Sequence, residues 1–267
     1  MANVEIDQPA DGVTRLTLNR PERLNALTYE LVDELHGALD AVHADHDCRV
    51  AIITGAGRGF CAGLDLTGFG TVPGTEDEGR PQQGLAVQQF IATLVPHLRS
   101  VRQPVISAVN GPCAGGGFAI ALASDIRLCA RSARFGTAFV RLGLSGCDIG
   151  VSWMLPRLIG ASRAWDLLLT GRVFDAAEAD KLGLVSELVD DGALMDAALA
   201  KAEQIKANSP FGVWMTKEVM WSNLETGSLQ AGIDLENRTQ ILASLTEDSR
   251  AAMGGFLSKA PVQYKNR

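Results

Sequence analysis

The stretch VAIITGAGRGFCAGLDL, Val50 to Leu66, joins an apolar run to a glycine-rich turn with an aspartate close behind. The apolar part, with Arg49 before it, reads as a buried strand over Arg49 to Thr54. The second half, Gly57 to Leu66, has the bare backbone expected where a strand hands over to a helix. A second stretch, NGPCAGGGFAIALASD from Asn110 to Asp125, repeats the arrangement. It follows the buried strand in QPVISAVNG, which begins at Pro104, and turns through glycines into a helix of small residues. IRLCA, Ile126 to Ala130, reads as the next strand.

Phosphate binding is a poor fit to these turns. Neither matches GxGxxG or GxxxxGK[ST], and no lysine sits where a phosphate loop needs one. Glycines can also serve only tight turns and close packing. Two such stretches, each after a strand and each opening toward a helix, suggest a different use. A helix start offers free N–H groups and a positive dipole end. Two such turns facing each other would aim two main-chain donors at one oxygen. A carbonyl that becomes an oxyanion would be stabilised more in its transition state than in its ground state.

Outward from these turns, VTRLTLN (Val13 to Asn19) alternates as a strand after an Asp11-Gly12 turn. Thr28 is placed to cap a helix whose apolar face is Leu31, Leu35, Leu39 and Val42. Thr67 to Gly84 is rich in Gly, Pro and acid, lacks periodicity and is expected to be a mobile loop. A helix is expected around Ala86 to Val101. Alternating strands and helices over the first two-thirds of the chain imply an α/β class with parallel strands joined by right-handed crossovers. After Gly192 the pattern turns to helices, expected at Ala193–Ala207, Pro210–Leu224, Leu229–Leu245 and Glu247–Ser258. Their acidic and basic residues are mixed, as on solvated faces. These helices are too few for a separate large domain and imply packing on the core or on another subunit.

A net charge of −7 over 267 residues argues against a nucleic-acid surface. No apolar run approaches the ~18 residues needed to span a bilayer. The opening MANVEIDQPADG has no signal-peptide core, so a cytoplasmic location is expected. Cys48, Cys61, Cys113, Cys129 and Cys147 are odd in number, lack CxxC spacing and read as reduced thiols, most of them packed as small apolar groups. His36, His43, His46 and His97 have no metal-ligand spacing and read as surface residues. Ser145 and Ser152 lack a nucleophile elbow.

Several segments together resemble one family. NRPERLNAL (Asn19 to Leu27), GFCAGLDL, VNGPCAGGG, LTGRVFDAAEADKLGLVSELV (Leu169 to Val189) and FLSKAPVQYKNR occur in the order found in the enoyl-CoA hydratase/isomerase, or crotonase, superfamily. The resemblance covers nearly the whole chain. It implies a spiral of ββα units over 1–192 and C-terminal helices over 193–267 that serve oligomerisation and part of the CoA site. It implies an acyl-CoA thioester substrate, no metal or redox cofactor, and a homotrimer or dimer of trimers. Coenzyme A is then part of the substrate. By position, the oxyanion donors would be the N–H groups of Leu64 and Gly116. Ala62, Asp65 and Leu66 would hold the CoA adenine, largely by backbone, and Arg23 would lie along the CoA. Phe256 and Lys259 would reach CoA, in some members that of a neighbouring subunit. Asp65 can equally be an acid that satisfies N–H groups at a helix start.

The resemblance also exposes a departure. Family hydratases use two glutamates to take a proton from water and give one to Cα. Here those positions are Ala119 and Phe139, and neither can move a proton. Asp148, in GLSGCDIGVSWMLPRL, stands one residue from where some isomerases of the superfamily carry an aspartate. One carboxylate suffices to move a proton between two carbons of one substrate. Phe139, Val140 and Trp153 would supply apolar walls for it. The alternative for Asp148 is an N-cap of a helix beginning near Ile149 or Gly150. Glu76, Asp77 and Glu78 are weaker candidates on the loop. Double-bond isomerisation or rearrangement of an enoyl-CoA is therefore the favoured expectation. A hydratase with relocated acid and base, or a CoA-thioester binder without turnover, are the alternatives.

Overall fold

The computed structural model describes residues 2–267. The chain begins with a hairpin, β1 (Val4–Ala10) and β2 (Val13–Leu18), turning at Gly12 with φ +65°. Helix α1 (Tyr29–Ala44) follows, capped by Thr28, whose hydroxyl accepts from Leu31 N–H. Leu31, Leu35, Leu39 and Val42 all lie on its buried face, as their spacing predicts. Strand β3 (Val50–Gly55), helices α2 (Arg80–Ala92) and α3 (Leu94–Ser100), and strands β4 (Val105–Val109) and β5 (Pro112–Ala114) come next. Helix α4 (Gly116–Ala123), strands β6 (Ile126–Ala130) and β7 (Arg134–Gly136), and helices α5 (Val151–Ile159) and α6 (Ala161–Thr170) complete the middle of the chain. Strand β8 (Val173–Asp175), helix α7 (Ala176–Lys181), strand β9 (Glu187–Val189) and helices α8 (Leu194–Lys206), α9 (Pro210–Asn223), α10 (Leu229–Ser244) and α11 (Glu247–Ser258) end it.

The expected single helix over Ala86 to Val101 is two. Pro96 has no N–H to offer the Ala92 carbonyl four residues back, and its ring crowds that carbonyl, so the helix breaks at Thr93. Residues Arg80 to Gly84, expected in the loop, are the first turns of α2.

The main sheet runs β1-β2-β3-β4-β6-β9, and every pair except the first hairpin is parallel. Its pleat sorts two cores. Ala51, Ile53, Val105, Val109 and Cys129 face α1, α3 and α4. Val50, Ile52, Ile106, Ala108, Leu128 and Ala130 face Leu194, Ala198 and Ala202 of α8. A parallel sheet covered on both sides needs apolar residues at successive positions, which explains the VAII run and the VISAV run, whose one polar residue, Ser107, is buried against Ser124 by a hydrogen bond.

A second, shorter layer consists of β5-β7-β8 and is extended by two single-residue bridges, Cys61 with Cys113 and Leu64 with Leu27. Each unit therefore gives one strand to the long sheet, one short segment to the second layer, and then helix. That repeated strand–strand–helix order is the expected ββα spiral. Helix α9 is tied to it by a buried ion pair. Lys217 lies 2.9 Å from Asp125, which also accepts from Trp221 Nε1 at 2.7 Å and from Val105 N–H at 2.7 Å. No helix among the described residues is long and apolar enough to cross a membrane.

Candidate active site

The turn before α1 forms one side of the site. Asn25 is fully buried with φ +57°, a left-handed conformation that asparagine tolerates better than most residues. Its side-chain amide donates to the carbonyls of Ala56, Gly59 and Phe60, and its Oδ1 accepts from Arg20 N–H at 2.8 Å. One side chain thus ties the NRPERLNAL turn to the loop that follows β3.

That loop does not open into a helix, contrary to the sequence expectation; none begins until Arg80. Instead Cys61 to Asp65 runs extended between two neighbours. Cys61 N–H donates to the Pro112 carbonyl at 3.1 Å, and the Cys61 carbonyl accepts from Ala114 N–H at 2.9 Å. On the other side the Gly63 carbonyl accepts from Leu27 N–H at 2.7 Å, and Asp65 N–H donates to the Leu27 carbonyl at 3.0 Å. Pairing on both edges satisfies the backbone without a helix.

This pairing sets the direction of the Leu64 amide. In a trans peptide the N–H points opposite to the preceding C=O. With the Gly63 carbonyl on Leu27, the Leu64 N–H points away from Leu27, toward the side where Cys61 pairs with Cys113. It has no acceptor among the described residues. The same reasoning applies at Gly116. The Gly115 carbonyl accepts from Ala119 N–H at 3.0 Å inside α4, so the Gly116 N–H points back out of the helix start, where no intrahelical partner exists.

The two turns touch. A Cβ built on Gly63 would lie 3.0 Å from the Ala114 carbonyl oxygen and 3.4 Å from Gly116 N. A Cβ on Gly117 would lie 2.3 Å from the Cys61 carbonyl oxygen, so only glycine fits there. The side chains of Leu27 and Ile149 border Gly116, at 2.6 and 3.5 Å from where its Cβ would be.

Along the extended segment, Ala62, Leu64 and Leu66 are exposed while Cys61, Gly63 and Asp65 are buried, the alternation of a strand. The Asp65 carboxylate is turned inward. It accepts from the Thr67 hydroxyl at 2.6 Å, from Thr67 N–H at 3.0 Å and from Arg20 at 3.0 Å. The Thr67 hydroxyl and N–H, helped by the Arg20 guanidinium, hold its carboxyl down at about 2. The acid satisfies an N–H group two residues on, in a turn rather than at a helix start. Arg20, absent from the sequence-based set, is its counterion. Arg23 is exposed beside Leu24, whose carbonyl accepts from Ala62 N–H at 2.9 Å, so Arg23 and Ala62 lie on one edge. Phe256 and Lys259 are exposed at the end of α11, with no hydrogen bond to this edge.

Asp148 is not a helix cap. The N-cap of α5 is Gly150, with no side-chain hydrogen bond to the helix, and Asp148 contributes only its carbonyl, which accepts from Val151 N–H at 2.8 Å. Its carboxylate Oδ1 accepts instead from the side-chain amide of Gln88 on α2. Between Asp148 and the helix, Ile149 and Gly150 are both left-handed, at φ +44° and +74°. A β-branched residue there is an outlier, and it carries the side chain that borders Gly116. Of the expected walls, Phe139 is buried with its ring 3.6 Å from a Cβ on Gly115. The other two expected walls have different neighbours. Val140 packs against Gly146 and Gly171, and Trp153 lies beneath the guanidinium groups of Arg99 (4.9 Å) and Arg157 (3.8 Å).

His36 and His97, expected on the surface, are half-buried and share a 2.6 Å Nδ1–Nδ1 hydrogen bond between α1 and α3. Burial, and then the charge of His97, push the His36 imidazole below its usual range. Among the described residues no cluster of three or more His, Cys, Asp or Glu is arranged to hold a metal. Four of the five thiols are buried, and Cys147 is exposed.

Comparison with known proteins agrees with this architecture. The family profile described as Enoyl-CoA hydratase/isomerase matches residues 8–267. A probable enoyl-CoA hydratase of Mycobacterium bovis is 41% identical over 242 residues, 91% of this chain and 85% of its own. A 1,2-epoxyphenylacetyl-CoA isomerase of Escherichia coli is 40% identical over 256 residues, 96% of each chain. The crystal structure of a probable enoyl-CoA hydratase/isomerase from Mycobacterium abscessus superimposes with a TM-score of 0.94 at 35% identity, covering 100% of both chains. With its spiral core and C-terminal helices, the chain belongs to the enoyl-CoA hydratase/isomerase family.

Proposed function

We propose that the chain binds an acyl-CoA thioester with its carbonyl oxygen between the N–H groups of Leu64 and Gly116, and that Asp148 moves one proton on the acyl chain. The reading rests on one observation. Two turns in contact each carry a main-chain donor without an acceptor among the described residues. Such a donor contributes on the order of 3 kcal/mol to an oxyanion in a dry site. Leu27, Ile149 and Phe139 supply apolar surface beside these turns.

The favoured reaction is isomerisation of an enoyl-CoA. The Asp148 carboxylate takes a proton from Cα of a β,γ-unsaturated thioester. The C–H electron pair delocalises through the double bond into the thioester, and the charge collects on the oxygen between the two amides. The protonated Asp148 then returns the proton to Cγ, which leaves the double bond in conjugation and the carboxylate restored. Ala119 and Phe139 are buried apolar residues at the positions of the two hydratase glutamates, which favours chemistry that needs a single carboxylate. In this reading CoA lies along Arg23, Ala62 and Leu66. Asp65 shapes the loop and presents its main chain, while Phe256 and Lys259 complete the CoA site of a neighbouring copy. Hydration is the second reading, supported by the names of relatives such as the M. bovis protein, and it requires a second proton-transfer group.

The test compares two assays. Wild-type protein should raise the absorbance of the conjugated thioester when given β,γ-hexenoyl-CoA, and should leave crotonyl-CoA unhydrated. Asp148→Asn should lower the isomerisation rate by about 10²–10⁴-fold, the usual contribution of one proton-transfer group. Rapid loss of crotonyl-CoA absorbance would favour hydration, and isomerisation that survives Asp148→Asn would remove this residue from the mechanism.

A further inference from the structure

We infer that Gln88 is a positioning residue for Asp148, an inference that rests on the proposed role of Asp148. The backbone at Asp148 is set by the tight turn into α5, with two left-handed residues after it and its carbonyl closed onto Val151 N–H. That turn fixes where the side chain starts and leaves its torsions free. The hydrogen bond from the Gln88 amide to Oδ1 supplies the missing constraint. Oδ2 has no hydrogen-bond partner among the described residues, so it stays available to a reacting group. The donor is neutral, so it orients the carboxylate without placing a positive charge beside it. Asp65 has different partners: a hydroxyl, an N–H and a guanidinium bind it, which suits a structural anion.

Gln88 itself stands on firm ground. It is exposed, so the amide is free to serve Asp148 without a structural duty in the core. Its neighbours in α2, Val87 and Phe90, pack on the main core, and the Phe90 ring stacks on Tyr29 at 4.9 Å. The amide is therefore presented from a helix anchored at both sides of it, and α2 becomes part of the site although no glycine turn or acid marks it in the sequence.

The test uses Gln88→Met, which keeps length and helix propensity and removes the donor, with Gln88→Ala as a second variant. Both are assayed with β,γ-hexenoyl-CoA, following isomerisation and uptake of deuterium at Cα from D2O. Loss of the constraint should lower kcat and deuterium uptake by about 10–100-fold, the scale expected for misplacing a reacting group by an ångström or so, with KM within about twofold and Tm unchanged. Two results overturn the inference: both variants keep wild-type kcat, or kcat falls only alongside a raised KM and a lowered Tm, as a packing role for α2 would give. Asp148→Asn, run in parallel, separates this from the reading beneath it. If Asp148→Asn keeps activity, or the wild type neither isomerises nor exchanges, the role of Asp148 fails and the inference falls with it. If Asp148→Asn is inactive and the Gln88 variants are normal, only the positioning role fails.

Discussion

Asp65 and Asp148 are both aspartates on loops, and their partners separate them. Asp65 is buried under a hydroxyl, an N–H and a guanidinium, while Asp148 has one neutral amide donor. The sequence allowed Asp65 to satisfy nearby N–H groups, as it does with Thr67, but not its ion pair with Arg20, which lies 45 residues away and is brought close only by the fold. The depressed carboxyl has a consequence for stability. Its folded value, about 2, lies below the ~3.9 of an unfolded aspartate, so the unfolded chain takes up protons first as pH falls. The stabilisation from Asp65 is present above about pH 4 and is lost as pH falls through about 2. Asp65→Asn should therefore lower stability at neutral pH and flatten the acid limb between about pH 4 and pH 2. Urea unfolding at a series of pH values reads this directly, and an acid limb as steep as that of the wild type would contradict the assignment.

Elements with strong local periodicity were legible, and those that exist only through pairing were not. The face of α1 and its Thr28 cap, strand β6 and helix α11 have the bounds or buried residues their sequences predict. Strands β5, β7 and β8 have three residues each, too short for a period, and are held by partners remote in sequence. The first glycine turn misled for a related reason: its local signal resembles a helix start, while pairing with Leu27 and Pro112 keeps it extended. Its glycine partner on α4 is the sharper probe of this contact. A Gly117→Ala methyl would lie 2.3 Å from the Cys61 carbonyl oxygen, which belongs to a paired backbone and cannot swing aside. The turns must part or the helix must shift, at a cost of about 1–3 kcal/mol for an overpacked site. We expect Gly117→Ala to lose stability by that amount in urea and to lose the proposed isomerase activity by more than the unfolded fraction explains. Gly254→Ala, with open space at its Cβ, is the control and should be neutral. A fully active Gly117→Ala would mean that the close approach of the turns is unnecessary.

At the scale of the whole molecule, the last three helices carry an apolar surface that this chain does not cover. Met220 and Leu224 on α9, Leu229, Ile241 and Leu242 on α10, and Met253, Phe256 and Leu257 on α11 are all exposed, Leu229 by 83% and Phe256 by 85%. The sequence reading expected these helices to pack on the core or on another subunit, but their mixed charge did not show which side stays apolar, because charge on one side of a helix says nothing about the other. Large apolar side chains left exposed on three successive helices suit an association surface. We propose that further copies of the same chain cover it, in the trimer or dimer of trimers that the family resemblance implies. The exposed Phe256 and Lys259 fit that arrangement, since a residue with no hydrogen bond to its own site is free to serve a neighbour's. Ile241 on α10 and Leu245, which caps its C-terminus, lie four residues apart and are both exposed, by 63% and 68%. Two glutamates there would leave the monomer fold intact, because neither side chain touches the buried core. They would put buried, unpaired charge into any interface the helix makes. Sedimentation equilibrium should therefore give a multiple of the 28.3 kDa chain for the wild type and a single chain mass for Ile241→Glu/Leu245→Glu, with circular dichroism unchanged. If the wild type sediments as a monomer across the micromolar range, the apolar face serves some other purpose and the shared CoA site loses its support.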